Sequence, residues 1–122
     1  MLLQYYLQFE NGEQVDWIDR LSREMSVPEN LSEGVSALQR IANLSHPQLC
    51  RVFRKTINRT PQQFVQELRL NYAYTLICNT DTSLEAIAAL VGYSSFSHFC
   101  IIFKERFQQS PSGLRKSAIR YW

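Results

Sequence analysis

With 122 residues, 45% of them hydrophobic and 20% charged, the chain suits one globular domain with a buried core, and the composition excludes a disordered or fibrous protein. No apolar run approaches the roughly 20 residues of a membrane span, and the start Met1-Leu2-Leu3-Gln4-Tyr5-Tyr6-Leu7 lacks the basic flank and cleavage site of a secretory signal, so a cytoplasmic protein with no membrane partner is expected. The net charge of +2 is unevenly placed: residues 1–34 hold seven acids and two bases (net −5), whereas residues 35–122 hold four acids and eleven bases (net +7), a body suited to a polyanion.

Residues 1–14 begin apolar, with Leu2, Leu3, Tyr5, Tyr6, Leu7 and Phe9, and end in a predicted turn at Asn11-Gly12. They read as a linker or interdomain arm that packs either on a neighbouring domain or back on this one. The main domain, 15–122, opens with an amphipathic helix over Val15–Met25, whose apolar side is Trp17, Ile18, Leu21 and Met25. Pro28-Glu29-Asn30 reads as a break. A helix from about Gly34 to Ala42 then ends in a tight turn at Asn43-Leu44, where Asn tolerates left-handed backbone.

Ser45 and Gln48 form a capping-box pattern with Pro47 in the first turn, so a helix starts there, with Leu49, Val52, Phe53 and Ile57 inward. Thr60-Pro61 begins the longest helix, 61–78, with apolar residues on two stripes (Phe64, Leu68, Tyr72, Leu76 and Leu70, Ala73, Tyr74, Ile77), the pattern of a connector packed on two sides. Ser83 opens another short helix through Leu90. Gly92 then turns the chain into a helix over Phe96–Phe107, and a last short helix is predicted near Ser112–Ser117.

The chain repeats itself. Leu49, Phe53, Ile57 and Pro61 recur as Phe99, Phe103, Phe107 and Pro111, each shifted by fifty, while the helix before the turn aligns at forty-nine (Leu38/Ile87, Asn43/Gly92, Ser45/Ser94). Each copy is a short helix, a tight turn and a longer helix, at about 34–57 and 83–107. That is the helix-turn-helix plan, in which the second helix enters the major groove of DNA. The expected fold class is all-α: two helix-turn-helix subdomains joined by a long connector helix, homeodomain-like and in tandem.

The stretch GYSSFSHFCIIFKERFQQSPSGLR, from Gly92, resembles the signature of the AraC/XylS family of bacterial transcription regulators, and IANLSHPQLCRVFRKTINRTPQQF resembles that family's upstream motif. The resemblance covers about residues 34–117. It implies sequence-specific recognition of double-stranded DNA by two helices in successive major grooves. Two versions of such a regulator stay open: the C-terminal part of a longer protein whose N-terminal domain senses an effector and dimerises, which the apolar, acidic start from Leu2 to Glu13 favours, or a stand-alone regulator of about this size; RNA polymerase is a further expected partner. The segment MSVPENLSEGVSALQRIANLS is similar to sugar-utilisation regulators of that family, including those of chitobiose-type operons.

With Leu49, Phe53 and Ile57 inward, Pro47, Cys50, Arg51 and Arg54 form the opposite stripe of the first long helix. By the resemblance this stripe reaches DNA. Arg51 suits a bidentate contact to guanine, and Pro47 and Cys50 suit apolar contact to a thymine methyl. His46, Gln48, Arg54, Lys55 and Arg59 suit phosphates, which position the protein without reading sequence.

The second stripe, Ser97, Cys100, Ile101 and Lys104, departs from the family pattern, because an isoleucine stands where a polar or basic residue is usual. Ser97 and Ile101 are the second helix's base-contact candidates; Ser95, His98 and Lys104 are assigned to the backbone, and specificity is expected mostly in the first unit. The competing reading is a protein-interaction module with Ile101 and Ile102 as an exposed patch.

An enzyme is not expected. Cys50, Cys78 and Cys100 show no metal-binding spacing, His46 and Cys50 lack a third partner nearby, and helix capping accounts for Ser94, Ser95 and Ser97, so no metal or cofactor is assigned.

Overall fold

A computed structural model describes residues 11–119, in which eight helices follow one another and no strand occurs among the described residues. They are α1 (Asn11–Met25), α2 (Pro28–Glu33), α3 (Val35–Ala42), α4 (His46–Ile57), α5 (Pro61–Asn79), α6 (Leu84–Leu90), α7 (Phe96–Phe107) and α8 (Pro111–Ile119). The chain divides into two compact units between Leu68 and Arg69. The apolar segment assigned as an arm lies largely outside the described residues.

Two local expectations are corrected. Asn11 and Gly12 belong to α1 rather than to a turn. Pro28 opens a short helix instead of only ending one, since proline fits the first helical position, where its missing N–H would be unbonded anyway. Gly34 then separates α2 from α3 at φ 79° and ψ −137°, a backbone region essentially confined to glycine.

In the first unit, Trp17, Leu21 and Met25 of α1 pack with Leu38 of α3, Leu49, Val52 and Phe53 of α4, and Phe64 and Val65 of α5. Phe53 is the centre of this core: Trp17 meets it edge-on at 6.4 Å and Phe64 at 5.0 Å. In the second unit, Leu70, Ala73 and Ile77 of α5 pack with Ile87, Ala88, Val91, Phe99, Phe103 and Leu114. Phe103 has Phe99 at 5.5 Å and Phe107 at 4.7 Å. Helix α5 divides along its length rather than by stripe: Phe64, Val65 and Leu68 serve the first core, and Leu70, Ala73 and Ile77, joined by Tyr72 and Leu76 of the other expected stripe, serve the second.

Helix ends repeat as the sequence does. Ser45 accepts from the Gln48 N–H while the Gln48 side chain accepts from the Ser45 N–H, and Thr60 and Gln63 form the same reciprocal pair. Ser83, Ser95 and Ser110 accept from the N–H three residues on. Helices α4 and α7 end at left-handed residues fifty apart, Asn58 (φ 54°) and Gln108 (φ 62°). Ser95, not Ser94, is the cap of α7, so Ser45 corresponds to Ser95 at an offset of fifty and Ser94 is the extra residue of the second turn.

That second turn is tightly built. Gly92 has φ 108°, and a Cβ there would lie 2.9 Å from the Arg69 guanidinium, which itself sits over the Tyr93 ring at 5.5 Å. Across the unit, Arg115 of α8 donates to the carbonyls of Ile77 (3.3 Å), Thr82 (2.5 Å) and Thr80 (3.0 Å), tying α8 to the end of α5 and the loop before α6.

Gly92→Ala is expected to lower stability by roughly 1–2 kcal/mol from backbone conformation alone, with displacement of Arg69 adding to it. Arg115→Ala is expected to cost about 1–2 kcal/mol by loss of charge-assisted bonds. Arg115→Lys should not restore that loss, because an ammonium cannot reproduce the guanidinium fork. Urea unfolding of the three variants checks both expectations; an Arg115→Ala midpoint equal to the parent's would refute the clamp.

Candidate nucleic-acid interface

Helix α4 presents two opposite faces. Leu49, Val52 and Phe53 are buried, which turns Pro47, Arg51, Arg54 and Lys55 outward, all exposed, with Cys50 half-buried between them. No acidic residue lies on this helix. Among the described residues, Arg51, Arg54 and Lys55 make no ion pair, so three cations stand free on one side of unit one.

The remaining assigned residues of this unit differ in availability. His46 is exposed, and both of its ring nitrogens lie 3.8 Å from the Cys50 sulfur. Gln48 has its side-chain oxygen bonded to the Ser45 N–H, which leaves only its amide N–H groups for a phosphate. Arg59 is ion-paired with Glu67 of α5. Its charge is partly compensated before any ligand arrives, a pairing that the sequence did not suggest because Arg59 lies in the link before α5 and Glu67 lies eight residues on, within that helix. Cys50, Arg54, Asn58, Arg59, Thr60 and Gln63 together line an open cleft of about 330 Å³. Asn58, Thr60 and Gln63 entered it unnoticed, since their sequence signals are those of helix ends.

In the second unit, Phe99 and Phe103 are buried, and Ser97, His98, Ile101 and Lys104 of α7 are exposed. Ser95 caps the helix, its oxygen accepting from the His98 N–H while its hydroxyl can still donate. Cys100 is half-buried; burial raises its thiol pKa and the Glu85 carboxylate adds to the effect, so the group stays a neutral thiol. Tyr93 is likewise pushed up by burial, against the opposing pull of Arg69. The two isoleucines part company here: Ile102 packs against the core, whereas Ile101 is 60% exposed. Of the pair expected as a patch for a protein-interaction module, only Ile101 is fully exposed, while Ile102 is half-buried.

Among the described residues, no three His, Cys, Asp or Glu side chains gather as metal ligands, and no helix is long and apolar enough to cross a membrane. What the units offer are two exposed helix faces at equivalent positions of a repeat.

A family profile described as a helix-turn-helix domain matches residues 38–117. A Chromobacterium violaceum structure, described as a transcriptional regulator with an AraC-type DNA-binding domain, superposes with a TM-score of 0.68 at 27% identity, over 83% of this chain and 87% of that one. The chain belongs to the AraC-type helix-turn-helix family. This AraC-type chain is 39% identical over 83 residues to an uncharacterized HTH-type transcriptional regulator of Haemophilus influenzae, a stretch covering 68% of this chain and 28% of that protein. It is also 39% identical over 67 residues to the transcriptional activator RhaS of Yersinia pestis, covering 55% of this chain and 24% of the relative. A DNA-binding transcriptional dual regulator of Escherichia coli shares the fold, with a TM-score of 0.72 at 19% identity over 83% of this chain and 90% of that one. The matched stretch thus spans about a quarter of the length of these curated relatives. The family is one of transcription regulators, not enzymes.

If Glu67 restrains Arg59, then Glu67→Gln should release that guanidinium. The expected outcome is tighter binding to duplex DNA at low salt for the variant, with the gain absent in Glu67→Gln/Arg59→Ala. Equal affinity of Glu67→Gln and parent in a titration at several salt concentrations would show that the pair does not limit Arg59.

Proposed function

We propose that this chain binds duplex DNA in a sequence-specific manner and regulates transcription, with α4 as the principal reader and α7 as the weaker one. The observation that carries the reading is the acid-free outer face of α4, where Arg51, Arg54 and Lys55 stand unpaired beside Pro47 and Cys50. Arg51 lies in the middle of the stripe and can present two parallel donors to the O6 and N7 of a guanine. Arg54, Lys55 and Arg59, with His46 and the Gln48 amide, hold phosphates on either side, and Ser95, His98 and Lys104 do so for α7. Ser97 and Ile101 face the bases from the second helix.

The relatives are about four times as long as the matched stretch. That proportion supports a division of labour in which effector sensing and dimerisation belong to another region. On this reading the DNA-bound protein meets RNA polymerase in the bacterial cytoplasm. The likeness of residues 25–45 to sugar-utilisation regulators supports genes of sugar metabolism as the targets.

Selection of binding sites from random duplexes, followed by affinity measurements on the selected site, tests the proposal. Arg51→Ala is expected to lose about 1–3 kcal/mol and to relax the preference at one base pair. Arg54→Ala should weaken binding to all sequences alike and reduce the slope of log K against log salt by about 0.9. Absence of duplex binding even at low salt would sink the proposal. Loss of specificity from Ile101→Ala as large as that from Arg51→Ala would overturn the ranking of the two helices.

A further inference from the structure

Ile101 is the most exposed large hydrophobic side chain among the described residues, at 60%, and the fold gives it nothing to do. It stands in the interior of α7, where a β-branched residue is a poorer helix former than the arginine at the equivalent place in α4. Its neighbour Ile102 and the half-buried Cys100 both pack against the core of the second unit; Ile101 is not among the residues of that core. By the offset of fifty it occupies the position of Arg51, and its stripe-mates Ser97 and Lys104 are exposed and polar. A single exposed hydrophobe is common on protein surfaces. One centred on a repeat's groove-facing stripe, beside a free lysine, fits an apolar group on a polyanion.

We infer that Ile101 reads the 5-methyl group of a thymine in the major groove, so that the central outward side chain of α7 detects a methyl where its counterpart in α4, Arg51, detects a hydrogen-bonding edge. The inference rests on the proposed DNA binding. An isoleucine has no donor or acceptor, so it cannot reward guanine, adenine or cytosine edges, and the thymine methyl is the apolar feature that the major groove of unmodified DNA offers. Burying that methyl against the exposed side chain corresponds to about a fourfold gain in affinity. A guanine contact of the Arg51 kind gives a larger one, so the laxer preference of the second helix follows from its chemistry.

The test replaces each thymine of a selected duplex in turn by deoxyuridine, which removes the methyl and leaves the pairing edge unchanged. The parent protein is expected to lose about fourfold at a thymine under α7. Ile101→Ala should bind the unmodified duplex more weakly by a similar factor and be indifferent to deoxyuridine at that same position, while keeping any penalty that belongs to α4. Ile101 lies outside the core, so its alanine variant should melt with the parent. Duplex binding in which every deoxyuridine penalty is the same in parent and Ile101→Ala overturns the inference and leaves DNA binding standing; a protein partner would then be the occupant of Ile101. No binding of any duplex at low salt overturns both.

Discussion

Everything on the outside of the two long second helices depends on what their inner faces are anchored to. In α4 that anchor is Phe53, buried with Trp17 and Phe64 against its ring; in α7 it is Phe103, with Phe99 and Phe107 beside it. A buried aromatic side chain fixes the rotation of its helix about the axis, because turning the helix would expose that ring and bury polar groups without partners. Once the rotation is fixed, residues 47, 51 and 54, and 97, 101 and 104, have to face solvent. The candidate interface is the remainder left by the core.

The same constraint explains why the repeat diverged unevenly. Inward positions tolerate only apolar residues of similar bulk, so Phe53 and Phe103 still match. Helix ends also match, because unsatisfied N–H groups and a left-handed exit impose the same chemistry twice, through Ser45 and Ser95, Thr60 and Ser110, Asn58 and Gln108. Outward positions are under no such demand from folding. There Arg51 faces Ile101 in the alignment, and Lys55 faces Glu105, so the two units carry different electrostatics on one scaffold.

Much of this was legible in the residues themselves. The helix period, the Ser/Thr caps, the Asn and Gly turns and the fifty-residue offset are local signals, and the chain's membership in the AraC-type family agrees with the plan they describe. The differences are also local. Proline begins a helix as readily as it ends one, so Pro28 opens α2, and the turn composition of Asn11-Gly12 is overridden by the helix that contains it. Consecutive serines are equivalent in sequence, so either Ser94 or Ser95 could match Ser45; of the two, Ser95 has its oxygen aimed at the N–H three residues on.

By itself the sequence determined the class of fold, the order of seven of the eight described helices, and the outward stripes of α4 and α7, because hydrophobic period and capping act between residues a few positions apart. Tertiary structure decided what distant residues do to one another. It pairs Arg59 with Glu67, closes Arg115 onto three carbonyls more than thirty residues away, and sets Gly92 against Arg69. It also separates Ile102 from Ile101, sending one to the core and the other to solvent. Adjacent residues on a helix point about a hundred degrees apart, and only the position of the neighbouring helices says which of the two is covered.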